Sequence, residues 1–91
     1  METVLVIGAA RSGTAAARLL KQQGYEVILT DSGPVTDRSG LEGIKIVDNG
    51  HPEWLFEKEY AFVVKNPGIP YRVPVVKRFV DAGIPVYTEI E

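Results

Sequence analysis

The residues best suited to chemistry lie near the start of the chain, in the run Gly8-Ala9-Ala10-Arg11-Ser12-Gly13. An apolar stretch, Val4-Leu5-Val6-Ile7, precedes it, and a run of helix formers follows. This arrangement suits a phosphate. A glycine at the end of a strand allows a sharp exit, and a glycine at the start of a helix lets the helix pack closely on the strand. The first N–H groups of such a helix point outward, and its dipole favours an anion. The amides of Arg11 and Ser12 are the expected donors, with the Ser12 hydroxyl and the Arg11 charge beside them. The run matches the dinucleotide pattern G-x-G-x-x-G except at Ala10, whose methyl restricts the close approach that the middle glycine normally permits. A turn kept for packing alone would use the same glycines. The strand before it, the helix after it and Asp31 at the end of the next strand favour the phosphate reading. Asp31 is placed to bond a ribose hydroxyl or a base edge, or else to cap the turn that follows.

Other chemistry is sparse. The single histidine, His51, stands beside Pro52 in a helix-start context, where a cap or a surface residue is the plainer reading than a general base. No carboxylate pair or His/Asp/Glu cluster has ligand-like spacing, so no metal site is expected. Ser12 has no evident base and is no nucleophile, which leaves no catalytic residue to name. No G-x-x-x-x-G-K-[ST] occurs, so no ATP-binding P-loop is expected. The absence of cysteine excludes disulfides and thiolate metal sites.

The elements that must position the first turn can be read from periodicity. Val4 to Ile7 reads as a strand covered on both faces. Gly8 to Gly13 makes a tight turn, and helix formers run from there to Gln23, with Ala9, Gly13, Ala16 and Leu20 as the buried stripe. Gly24 ends that helix, and Val27-Ile28-Leu29 begins a second strand that finishes at Asp31. Ser32 to Gly43 is polar and reads as a loop with room for a helical turn. Ile44 to Val47 is a third strand. A short helix then starts at Asp48, Asn49 or Gly50, with Pro52 in its first turn and Trp54, Leu55 and Phe56 supplying core. Ala61 to Lys65 is a fourth strand, ending at Asn66-Pro67-Gly68. Pro74 opens a helix with Val75, Val76, Phe79 and Val80 on one apolar stripe, and Gly83 closes it. Pro85 to Tyr87 is a fifth strand.

Strands alternating with helices imply an α/β fold with a parallel sheet and right-handed crossovers. The simplest order is 3-2-1-4-5, with helices on both faces. Its switch point, where ligands of open α/β sheets bind, falls between strands one and four. Gly8 to Gly13 and Asn66 to Tyr71 therefore meet at one crevice.

Ninety-one residues suffice for one domain, and a hydrophobic share of 45% is ordinary for a globular chain. A formal net charge of -2, with scattered basic residues, gives no electrostatic reason to expect nucleic acid or an anionic membrane as partner. With no signal-like start and no bilayer-length apolar run, a cytoplasmic protein is expected.

The chain resembles the N-terminal domain of the Mur ligases, in the branch that makes UDP-N-acetylmuramoylalanine–D-glutamate. The segments that carry the resemblance are Val4 to Gly13, Gly50-His51-Pro52, Val64-Lys65-Asn66-Pro67-Gly68-Ile69-Pro70-Tyr71 and Thr88-Glu89-Ile90-Glu91. The run from Lys65 to Tyr71 is the most specific and looks like the Gram-positive type. There the first loop typically reads G-L-A-K-S-G, so Ala10 fits this family while departing from the dehydrogenase pattern. The resemblance implies a domain that holds the UDP part of UDP-N-acetylmuramoyl-L-alanine. Gly8, Ala10, Arg11, Ser12 and Gly13 then face the diphosphate. Asp31 and Ser32 lie by the uridine, with Asn66, Pro67 and Gly68 as the opposite wall. Gram-negative relatives carry an arginine two positions after the aspartate; here that position is Gly33, with no side chain to offer the uracil. The resemblance also implies central and C-terminal domains of the same ligase beyond Glu91. In the family the central domain is expected to bind ATP and Mg2+ and the C-terminal one to help receive D-glutamate, which attacks an acyl phosphate; this chain, read as a fragment of such a ligase, is expected to need no cofactor of its own.

Two other readings compete. One is an NAD(P)-binding module of an oxidoreductase or of a potassium-channel regulatory subunit. Ala10 argues against it, as do the two strands left after the switch point, too few to hold a second mononucleotide. The other is an interaction domain with a relic turn, which a crevice filled by side chains would favour.

Overall fold

The computed structural model describes residues 1–88. Five strands form one parallel sheet in the order β3-β2-β1-β4-β5: β1 Thr3–Ile7, β2 Glu26–Thr30, β3 Lys45–Val47, β4 Phe62–Lys65 and β5 Val86–Thr88. The expected order holds. Helix α1 spans Arg11–Gln22 and α2 spans Pro74–Asp81, with a single 3-10 turn at Glu53–Phe56. Register aligns Ile7 with Thr30 on one side and with Lys65 on the other, so β1, β2 and β4 end level. Their following loops therefore share one edge. Glu89, Ile90 and Glu91, part of the family-like C-terminal segment, lie outside the described residues.

The sheet is buried on both faces, which explains the unbroken apolar runs of its central strands. Alternate residues point to opposite sides. Val4, Val6, Val27 and Leu29 pack against Ala17 of α1 and against Val35, Leu41 and Ile44 from the long connection between β2 and β3. Leu5, Ile7, Ile28 and Val63 face Val75, Val76 and Phe79 of α2, with Leu55 and Tyr60 beside them. Phe79 stacks on Phe56 at 5.0 Å and meets Tyr60 edge-on at 5.7 Å. The Tyr60 hydroxyl donates to the Leu55 carbonyl at 2.6 Å, and burial pushes the phenol up to about 12.

Several local expectations shift. Helix α1 begins at Arg11, so the second half of the glycine turn is already helical; its fully buried positions are Gly13 and Ala17, while Ala16 is only half-buried. Residues 32–43 form no helix. Val35 and Leu41 are nevertheless buried, and Asp48 pins this connection by accepting the Val35 N–H at 2.8 Å and Arg38 at 3.2 Å. Pro52 precedes the 3-10 turn as its cap, and of the aromatic and aliphatic residues there only Leu55 is fully buried. Trp54 is exposed, with the Lys45 ammonium over its ring at 4.8 Å. Val80 is likewise exposed, because the buried stripe of this short helix is filled by Val75, Val76 and Phe79.

Phe79 joins α2, the 3-10 turn and the sheet in one cluster, so its truncation leaves a cavity that three elements cannot close. Phe79→Ala is expected to cost about 3–5 kcal/mol, a large part of the total stability of a small domain. Equilibrium urea denaturation of the two proteins checks this.

Candidate functional site

The loops after β1, β2 and β4 meet at the carboxyl edge of the sheet. The first is shaped by a close backbone approach. Gly8 leaves β1 with a φ of 101°, and a Cβ at Gly13 would stand 1.9 Å from the Gly8 carbonyl oxygen. That is far inside van der Waals contact, so α1 can land on the end of β1 only with hydrogen at this position. A Cβ at Gly8 would itself press on Asn66 and Ile69, each at 3.0 Å. The Gly8 N–H donates across the sheet to Thr30 at 2.8 Å.

Two polar side chains tie the three loops together. The Asp31 carboxylate accepts the Ala9 N–H at 2.7 Å through one oxygen and the Gly33 N–H at 2.8 Å through the other. Asp31 thus joins the first loop to its own. Asn66 does the same on the other side: its amide donates to Ser12 Oγ at 3.2 Å, and its side-chain oxygen accepts the Gly68 N–H at 2.9 Å. The buried Lys65 just before it holds its ammonium 4.4 Å above the Tyr71 ring, and the Tyr71 hydroxyl meets Thr88 at 3.1 Å.

At the head of α1, Ala10 occupies the cap position and offers no side-chain hydrogen bond, and the first turn holds no acidic residue. The N–H groups of Arg11, Ser12 and Gly13 are thus free of a capping side chain, the arrangement that suits an anion. Arg11 lies to one side, lining a polar hollow of about 370 Å³ with Ala9, Thr14, Arg18, Asp37 and Ser39.

The larger cavity, about 420 Å³, lies on the α2 side of the same edge, within the size range of small-molecule sites. Gly8, Asp31, Ser32 and Gly68 line it, so four of the expected site residues converge there. Ala10 to Gly13, Asn66 and Pro67 do not line it. Ile7, Ile69, Pro70, Val73, Pro74 and Val75 form its apolar walls.

His51 completes the lining, a place that its reading as a cap or surface residue did not anticipate. Its position depends on the turn after β3, where Asn49 takes a φ of 60° and donates its N–H to Gly33 at 2.9 Å, while the Gly50 N–H reaches the Asp31 carbonyl at 3.2 Å. His51 Nδ1 then lies 2.8 Å from the hydroxyl of Thr30, a fully buried residue. Burial holds the imidazole pKa below its ordinary value, with the charge of Asp31 opposing this in part. The Gly50-His51-Pro52 run was among the segments that carry the family resemblance, but no periodicity could reveal that β3 delivers it to the carboxyl edge.

No family model matches the chain. The UDP-N-acetylmuramoylalanine–D-glutamate ligase of Geobacillus kaustophilus is 46% identical over 93 aligned positions, which take in 97% of this chain and 21% of that protein. The same ligase from Streptococcus pneumoniae strain Hungary19A-6 matches with the same identity and coverage. Over nearly its whole length the chain is similar to the N-terminal domain of UDP-N-acetylmuramoylalanine–D-glutamate ligases. It spans about a fifth of the length of these relatives and matches their N-terminal domain. Among the described residues no helix is long and apolar enough to cross a membrane.

Two predictions follow from this edge. Gly13→Ala would ordinarily gain about 1 kcal/mol of helix propensity, but the clash with the Gly8 carbonyl outweighs it, for a net loss of about 2 kcal/mol or more. Denaturation of that variant tests the sign. The second concerns His51. Its folded pKa lies below the ordinary value of 6.5, so the unfolded chain binds the proton more readily. Its contribution to stability is complete above pH 6.5 and is lost as pH falls from there through the lowered folded value. Stability measured from about pH 8 to about pH 5 should decline in the wild type and decline less in His51→Gln.

Proposed function

We propose that residues 1–91 form the nucleotide-holding domain of a cytoplasmic, ATP-dependent ligase that joins D-glutamate to UDP-N-acetylmuramoyl-L-alanine in peptidoglycan precursor synthesis. The observation that carries this reading is the juxtaposition of an uncapped helix N-terminus with an apolar cavity at the switch point of the sheet. It occurs in a chain 46% identical to ligases of that name. In this reading the diphosphate lies against Gly8, Ala10, Arg11, Ser12 and Gly13, where backbone N–H groups and the helix dipole meet its charge. Asp31 and Ser32 face the uridine. Asn66, Pro67 and Gly68 close the opposite side, Asn66 by holding Ser12 and Gly68 in place.

The role of such a domain is positional. Binding energy gathered on the non-reacting UDP group holds the distant carboxylate in register for the chemistry, which lowers the entropic cost of the reacting step. Among the described residues no group of three or more His, Asp or Glu could hold a metal ion. In this reading, as the family resemblance implies, ATP and Mg2+ bind to the central domain of the full-length ligase and the C-terminal domain helps receive D-glutamate.

Two-dimensional NMR titration of the labelled chain with UDP-N-acetylmuramoyl-L-alanine, with NADH as control, tests the proposal. Shifts confined to 8–13, 31–32 and 66–68 are expected, with submillimolar to millimolar affinity, about 4 to 5 kcal/mol, because contacts to the sugar and alanyl parts are missing. Saturable shifts from NADH with none from the UDP compound would sink it.

A further inference from the structure

The hydrogen bonds around Thr30 determine which nitrogen of His51 carries its proton. The Thr30 hydroxyl has one hydrogen, and it is donated to the Val47 carbonyl at 2.8 Å. The 2.8 Å contact between Thr30 Oγ1 and His51 Nδ1 must then use the ring's hydrogen, so Nδ1–H donates and Oγ1 accepts. In the neutral ring this leaves the lone pair on Nε2. That atom has no hydrogen-bond partner among the described residues and belongs to a side chain lining the cavity. The charged groups nearby are few. Asp31 stands at the rim, while Asp48, on the segment that carries His51, is committed to Val35 and Arg38. The lining from the β4–α2 side, Gly68 to Val75, brings no titratable group to the cavity.

The cavity is thus an apolar slot with its polar groups, Asp31, Ser32 and His51, on the β2–β3 side. We propose that His51 reads the base of the bound nucleotide: Nε2 accepts the imide N3–H of uracil and disfavours cytosine, whose N3 presents a lone pair. The proposal rests on the uridine-nucleotide reading above and adds a specificity residue to it. Protonation turns Nε2 into a donor, so acid weakens the preference for uracil. The common diphosphate cancels from the comparison of UDP with CDP, which leaves the base as the difference.

NMR titrations of the 91-residue chain with UDP and with CDP test this, at about pH 8 and about pH 5. The wild type should bind UDP about 10-fold or more tighter than CDP at the higher pH, the cost of an unmatched polar contact, and the ratio should shrink at the lower pH. His51→Phe should bind both nucleotides with similar affinity. His51→Gln, whose Oε1 restores an acceptor, should recover part of the preference. If His51→Phe does not keep the wild-type spectrum, the wild-type pH profile decides. Equal binding of UDP and CDP by the wild type, a preference that does not change with pH, or one that survives in folded His51→Phe overturns the assignment to His51 and leaves the nucleotide site standing. Failure of both nucleotides to bind removes the nucleotide site and this assignment together.

Discussion

The arrangement of the whole edge depends on one contact between backbones: the carbonyl of Gly8 against the Cα of Gly13. A side chain at Gly13 would collide with that oxygen at 1.9 Å, so the start of α1 would have to move off the end of β1. With hydrogen there, the helix begins three residues after the turn's first glycine, at Arg11, and its unpaired N–H groups open at the carboxyl edge of the sheet. Gly8 is constrained likewise: its φ is positive, and a Cβ there would meet Asn66 and Ile69 at 3.0 Å, so the β4–α2 loop can lie this close only beside a glycine. One steric requirement thus sets where the helix begins.

Polar side chains then fix what sterics leave free. Asp31 and Asn66, both expected to face a ligand, spend their nearest atoms on the protein itself. Each links two loops that hydrophobic packing alone would not align. A carboxylate can accept about four hydrogen bonds, so Asp31 keeps capacity for a ligand while serving as a clamp. His51 and Thr30 add a third link, between the turn after β3 and the end of β2. Loops joined in this way lose less freedom on binding than separate ones would, which reduces the entropic cost of taking up a small ligand.

The two faces of the edge differ in character. On the α1 side the hollow beside Arg11 and Arg18 is polar, and the helix N-terminus lies near it. On the α2 side the cavity is apolar, because the Pro70 to Val75 segment must cover the ends of β1 and β4 while carrying few polar groups. A ligand with an anionic part and a flat, mostly apolar part fits that division. The same α2 side is stabilised by Phe79, Phe56 and Tyr60, so the core of the fold also backs the cavity.

Much of this was legible in the residues. Unbroken apolar runs such as Val4 to Ile7 implied a sheet covered on both faces, and their alternation with helical stretches implied parallel strands, most simply in the observed order. Gly8, Gly13 and the Lys65 to Tyr71 run marked the edge that carries the candidate site, because local conformation and strand direction are encoded by neighbours in the chain. The sequence could not show how the loops bond to one another. The roles of Asp31 and Asn66 as clamps, the exposure of Trp54 and Val80, and the delivery of His51 to the cavity depend on which residues lie side by side across the sheet. Those neighbours are 22 and 54 positions apart in the contacts of Asp31 with Ala9 and Asn66 with Ser12, and only the packed fold brings them together. Periodicity therefore determined the elements and their order, while tertiary structure decided which polar atoms remain for a ligand.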